Sequence, residues 1–236
     1  MNIIKVKDYQ ALSEKLAELM IDEIASNDRS NICLATGGSP KLAYQLFTEA
    51  ILKQQLDTSH VVFTKLDEWC NLDPTHLATC EKYIQDLIVK PLGITENNYI
   101  SFIPNASDFE VETKRIQQAL NKRPITLCLL GLGMNGHLGL NEPGEFLTPY
   151  AHVVALDPIT KTHPMIKNDE VDFGLSLGMA DILASDKIVL LIAGANKAKI
   201  VEQFFTKKIT TKLPASFLWL HQNVQIILQE DLYTIE

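Results

Sequence analysis

Cationic side chains are scarce in this chain. It has 21 lysines and arginines against 29 aspartates and glutamates, a formal charge of −8. That deficit excludes a protein held to nucleic acid by phosphate-backbone electrostatics. It does not exclude a small anion, because a pocket can be locally positive on an acidic protein. Cysteine is also sparse: Cys33, Cys70, Cys80 and Cys128, with no pair spaced as C-x-x-C. Neither a zinc site nor a disulfide framework is expected, and thiols kept reduced in a cytoplasmic protein are the plainer reading. Long apolar runs are missing. The most apolar one, Ile188 to Ala193, is far too short to span a bilayer. The opening residues MNIIKVKDYQALSEKLAELM lack the basic start, apolar stretch and small-residue cleavage site of a signal peptide. No repeat, linker or low-complexity stretch interrupts the 236 residues, so one domain spanning 1–236 is the expectation.

What is present is an alternation of short apolar runs and helical periods. Asn31 to Thr36 is a strand candidate ending at Gly37-Gly38, and Ser39-Pro40 opens a helical pattern through Leu42, Ala43, Leu46, Ala50 and Ile51. His60 to Lys65, Tyr99 to Phe102, Ile125 to Leu130, His152 to Leu156, Asp186 to Ala193 and Val224 to Leu228 read as further strands. Thr79 to Lys90, Asp108 to Leu120 and Asn196 to Phe205 read as helices between them. Such alternation predicts a doubly wound α/β fold, a mostly parallel sheet with helices on both faces. In that architecture ligands bind beyond the C-terminal ends of the strands.

Four strand ends carry chemistry-bearing residues. Gly37-Gly38-Ser39 before a helix fits either a phosphate cradle or an ordinary strand-to-helix turn. It lacks the Walker pattern of an ATP-binding loop. Gly131-Leu-Gly-Met-Asn-Gly136 matches G-x-G-x-x-G, but no helical period follows it, which argues against dinucleotide binding. His137 and Glu142 in the same glycine-rich loop suit acid–base chemistry near neutral pH, and no third ligand stands at metal spacing. Histidines 60, 76, 152, 163 and 221 have no such setting and read as surface or structural. Asp67-Glu68 directly after a strand is either a catalytic pair or a solvated turn, and Lys197 after Gly194 is either an anion contact or a surface lysine.

Together the stretches LATGGSP, KLDEW, GLGMNGHLGLNEPG, SLGMADIL and AGANKAKIV resemble the glucosamine-6-phosphate deaminase/isomerase family over nearly the whole chain. LDEW, TCEKYIQ followed by KPLG, NGHLGLNEPGE and PASFLWLH are most similar to its galactosamine-6-phosphate members. The resemblance implies a cofactor-free, metal-free reaction. A 2-amino-2-deoxyhexose 6-phosphate becomes a ketohexose 6-phosphate and ammonia, with tagatose 6-phosphate as the product of the galacto sugar. It implies Asp67 as the base moving a proton between C2 and C1, His137 as the ring-opening residue and Glu142 as the acid assisting it. It also implies Gly37, Gly38, Ser39 and Lys197 around the phosphate. Thr160 falls on a family position with no assigned role.

The chain departs from the glucosamine enzymes in three places. Asn135 stands where they carry an aspartate; it can orient His137 but adds no charge, which leaves that to Glu142. Ile166 stands where they bring an arginine to the phosphate, and the neighbouring Lys167 is the expected substitute. His152 and Val154 replace basic residues of the allosteric members, so no activation by an N-acetylated sugar phosphate is expected. A sugar-phosphate lactonase of the same fold and a non-catalytic sugar-phosphate sensor are the alternatives. The retained Asp67 and the NEPG continuation favour the deaminase.

Overall fold

In the computed structural model, which describes residues 1–232, strands and helices alternate along the chain. The order is β1 (Asn2–Val6), α1 (Tyr9–Ser26), β2 (Asn31–Leu34), α2 (Lys41–Gln54), β3 (Val62–Lys65), β4 (Asp67–Trp69), α3 (Cys80–Ile84), α4 (Lys90–Leu92), β5 (Tyr99–Ile100), α5 (Phe109–Lys122) and β6 (Leu127–Gly131). Then come β7 (His152–Ala155), β8 (Phe173–Ser176), α6 (Met179–Leu183), β9 (Lys187–Ile192), α7 (Ala198–Phe205) and β10 (Val224–Gln229). Seven strands form one parallel sheet in the order β1-β10-β9-β6-β2-β3-β5.

The apolar runs are continuous because both faces of this sheet are covered. In β6, Leu127 and Leu129 pack with α1 and α2, whereas Cys128 and Leu130 pack with α5 and α7. In β9, Val189 and Leu191 join the first group and Ile188, Leu190 and Ile192 the second. A strand buried on both sides has no polar face to alternate with. The doubly wound expectation therefore holds.

Local signals fix the helix ends. The Asp8 carboxylate accepts the Ala11 N–H at the start of α1, and Asp108 does the same for Val111 at the start of α5. The helix expected from Thr79 to Lys90 is continuous but passes through a π-helical stretch, Gln85–Val89, between α3 and α4. Pro91 cannot donate to the carbonyl four residues back, and the Thr48 hydroxyl donates to that Leu87 carbonyl instead, at 2.8 Å.

The main difference from the expectation is a second, antiparallel sheet in the order β4-β8-β7. Asp67-Glu68 is neither a solvated turn nor a helix cap; it lies in β4, pairing with Ser176 and Leu175 of β8. Three residues are too few to show a strand period in sequence. This small sheet sits over the C-terminal ends of the parallel strands, because β3 leads into β4 through Leu66 alone. Trp69, Cys80, Leu140, Leu156, Ile166 and Val171 form a separate apolar cluster against it.

Candidate active site

The parallel sheet runs from β2 outward through β3 to β5, and from β6 outward through β9 and β10 to β1. The order reverses between β2 and β6, and the loops leaving these two strands diverge there. A cavity of about 570 Å³ opens at this point. Gly37 to Ser39, Asp67, His137 and Lys197 all line it, so four segments far apart in sequence meet in one place.

Asp67 and Trp69 face the cavity, and the alternation of a strand turns Glu68 the other way. Glu68 is fully buried, and its carboxylate accepts from Lys65 Nζ at 2.6 Å and from the N–H groups of Trp69, Cys80 and Glu81 at 2.8, 2.8 and 2.7 Å. It thus ties β4 to the first turn of α3. Lys65, also fully buried, donates further to Glu81 and to the Phe102 carbonyl, each at 2.8 Å. Burial alone would lower its pKa, but the carboxylates of Glu68 and Glu81 outweigh burial and keep it raised, so the ammonium stays charged. Asp67 sits on this framework with far fewer partners. The Cys80 thiol points at its Oδ1 from 3.7 Å, and Thr36 contacts that thiol in turn at 3.1 Å. Burial first, and the charge of Glu68 second, push the Asp67 carboxyl up to about 7, against the opposing pull of His137 and Lys65. A carboxyl titrating there suits a general base working near neutral pH.

His137 is held from behind. Glu142 Oε2 stands 3.4 Å and Thr160 Oγ1 3.2 Å from its Nδ1. The Asn135 amide donates to the same Glu142 oxygen at 3.0 Å, while its carbonyl accepts the His137 N–H at 3.2 Å. Burial would raise the Glu142 pKa, but the hydrogen bond and charge of His137, with help from Thr160 and Asn135, keep it lowered. A charged carboxylate is therefore present to stabilise an imidazolium. The ring lies so close to Gly133 that a Cβ there would stand 2.4 Å from its Cδ2, so this loop position admits only glycine.

The remaining wall is shaped to receive an anion. Gly37 has a φ of +102°, a left-handed conformation that favours glycine. The Tyr83 hydroxyl donates to the Gly37 carbonyl at 2.8 Å and the Tyr9 hydroxyl to the Gly38 carbonyl at 2.6 Å. With both carbonyls engaged by phenols, the loop has its N–H groups left to offer a ligand. Lys197 donates to the Leu132 carbonyl and meets no carboxylate among the described residues, and burial lowers its pKa to about 8. A half-buried ammonium without a counter-ion favours an anionic ligand.

Most of the residues expected from sequence are brought together here. Asn135 and Glu142 stand behind His137 rather than on the cavity wall. Lys167 does not belong to the site: it is exposed and absent from the lining. The N–H groups of both Ile166 and Lys167 close onto the His163 carbonyl at 3.0 Å. That tight turn buries Ile166 in the cluster beneath the small sheet and turns Lys167 outward. The same turn directs His163, read from sequence as surface or structural, into the cavity beside Trp69. His152 lies on β7 with its ring donating to the Tyr150 carbonyl at 2.9 Å, and neither it nor Val154 lines the cavity. Sequence reasoning missed Tyr9, Tyr83, Cys80 and His163. Only His163 left a signal, standing three residues after Thr160, directly beyond the 3₁₀ turn Thr160–Thr162.

Among known proteins, the family model described as glucosamine-6-phosphate isomerases/6-phosphogluconolactonase matches residues 6–228. A putative deaminase, AgaI, of Escherichia coli strain K12 is 45% identical over 222 residues, covering 93% of this chain and 88% of its own. A glucosamine-6-phosphate deaminase of Bacillus pumilus is 35% identical over 98% of both chains. The solved structure of a monomeric glucosamine-6-phosphate deaminase superposes with a TM-score of 0.93 at 28% identity, over 98% of each chain. A Trypanosoma brucei 6-phosphogluconolactonase shares the fold, with a TM-score of 0.75 at 17% identity. The converging loops and these likenesses agree: this chain belongs to the glucosamine-6-phosphate isomerase/6-phosphogluconolactonase family.

Proposed function

We propose that the chain is an aminosugar-phosphate deaminase/isomerase acting on galactosamine 6-phosphate and releasing tagatose 6-phosphate and ammonia. The observation that carries this reading is one cavity holding both an ammonium without a counter-ion, Lys197, and a carboxyl titrating near neutrality, Asp67. The Gly37–Ser39 loop and Lys197 take the substrate's phosphate. His137, backed by Glu142, moves the proton between O1 and the ring oxygen that opens the pyranose. The ionised Asp67 carboxylate then takes the C2 proton, which the adjacent C1 carbonyl acidifies, and an enediol-like enolamine forms. Asp67 returns that proton to C1, leaving a ketimine at C2. Water adds to the ketimine, and ammonia departs as the C2 carbonyl forms. No electrons leave the substrate, so the chain's own acids and bases suffice.

The galacto assignment rests on LDEW, TCEKYIQ and PASFLWLH, the stretches most similar to galactosamine-6-phosphate enzymes. A lactonase would need an activated water but no base for a carbon-bound proton. The test is ammonia release from galactosamine 6-phosphate and glucosamine 6-phosphate by wild type and Asp67→Asn. Release from the galacto sugar at the higher kcat/KM, abolished by the substitution, is expected. Faster turnover of the gluco sugar overturns the galacto assignment alone, and release from neither overturns the deaminase.

A further inference from the structure

Among the described residues, His163 is the one histidine of the cavity wall besides His137, and nothing in the mechanism uses it. Its position is defined on several sides. The ring packs against Trp69 with centroids 5.7 Å apart. On another side it faces the backbone of Gly37: a Cβ placed there would stand 3.4 Å from Nε2. The Met165 N–H points at Nδ1 from 3.3 Å. An Nδ1 that accepts leaves the proton of a neutral imidazole on Nε2. Nε2 has no partner among the described residues and lies beside the loop whose N–H groups are offered to the ligand. Burial, then the charges of His137 and Lys197, lower the pKa of His163, which favours this neutral, single-donor form.

The anion wall has a vacancy that His163 fits. Lys197 is its one ammonium among the described residues, Lys167 is turned away, and Ile166 is buried beneath the small sheet. A phosphate dianion accepts several hydrogen bonds, and directed donors to it are stronger than neutral pairs. We infer that His163 donates from Nε2 to the substrate's phosphate, completing with Ser39 and Lys197 the set of side chains that binds it. This inference rests on the sugar-phosphate reading of the site. It makes His163 a binding residue with no part in proton transfer at C1 or C2.

The experiment compares wild type, His163→Ala and His163→Gln. KM and kcat are measured with galactosamine 6-phosphate and glucosamine 6-phosphate, and inorganic phosphate is used as the inhibitor. His163→Ala is expected to raise KM and the phosphate inhibition constant together, by roughly tenfold to a hundredfold, with kcat little changed. His163→Gln, whose amide N–H can replace the lost donor, is expected to recover most of that loss. A lower kcat with KM and phosphate inhibition unchanged would give His163 a role in the chemistry and overturn the inference. Equal losses in Ala and Gln, with phosphate inhibition unmoved, would make it a packing partner of Trp69 and also overturn it. If wild type releases no ammonia from either sugar, the deaminase reading fails by itself. Calorimetric titration of wild type and His163→Ala with inorganic phosphate then still decides the role of His163: weaker binding by the variant supports it, and equal binding overturns it.

Discussion

The two walls of the cavity are built in opposite ways. Behind Asp67 and His137 stands a layer of carboxylates and donors bonded to one another: Lys65, Glu68 and Glu81 on one side, Glu142, Asn135 and Thr160 on the other. Around Gly37–Ser39, Lys197 and His163 the donors face the cavity with few protein acceptors, and the supporting bonds go instead to the carbonyls of Gly37 and Gly38. Groups that move protons need a fixed orientation and a tuned pKa, which only the protein can supply. Groups that bind an anion must stay free until the anion arrives, because a donor already paired would have to be stripped first.

Removing the least-partnered group of the first wall should have the largest effect on activity. Asp67→Asn is expected to cut ammonia release by about 10²- to 10⁴-fold. A variant retaining a tenth or more of wild-type turnover would place the base elsewhere. Removing a support behind it should act on stability. Glu68→Ala leaves the buried Lys65 ammonium with Glu81 as its one remaining carboxylate partner among the described residues. Urea denaturation should show a loss of about 3–5 kcal/mol. A loss no larger than that of an ordinary surface substitution would mean that Glu68 supports nothing.

The second wall should respond in binding. Lys197→Ala is expected to raise KM for the sugar phosphate by roughly tenfold to a hundredfold, with the smaller effect on kcat. A variant whose kcat falls while KM holds would move Lys197 to the first wall.

The raised pKa of Asp67 links stability to pH with a definite sign. Its carboxyl is held near 7 in the fold, against roughly 4 in the unfolded chain. The folded state therefore binds the proton more tightly, and the stability this group gives below about pH 4 is lost as pH rises through 7. Asp67→Asn should stabilise the protein at pH 8 by about 1–3 kcal/mol, less than the full shift because the cavity admits solvent, with the advantage gone at pH 3. Thermal unfolding at the two pH values checks this, and wild-type kcat/KM should decline on the acid side of about pH 7. A variant less stable than wild type at pH 8 would contradict the strained carboxyl.

Asn135→Asp should have the smallest effect. The Asn135 amide donates to Glu142, so an aspartate there sets two carboxylates about 3.0 Å apart and removes that donor. The acid limb of the pH–rate profile should move modestly, because such a pair binds a proton more readily. An unchanged profile would show that Glu142 alone governs His137.

Legibility in the sequence followed the range of the interaction. The parallel strands from β2 onward are readable because burial writes a continuous apolar run, as in Ile188 to Ile192, whereas β1, a half-exposed edge strand, has no such run and goes unread. The glycine-rich loop at His137 was readable because Gly133 must make room for the ring. β4 and β8 are not, because DEW and FGLS carry no apolar run and only their pairing with each other makes them strands. Adjacency to the aligned Ile166 makes Lys167 a candidate in sequence, and a turn of two hydrogen bonds is enough to point it outward.

The sequence by itself determined the alternating architecture, the family, and the residue types at Asp67, His137 and Lys197. Tertiary structure decided that Glu68 would be a buried strut while its neighbour Asp67 faces the cavity. It also decided that Thr160 would stand beside His137 and that His163 would line the cavity. The reason is physical. Propensity and period are properties of neighbours along the chain. Which face of a short strand meets a buried lysine, or which side of a turn meets a glycine loop more than a hundred residues away in the chain, is set only when the sheets pack.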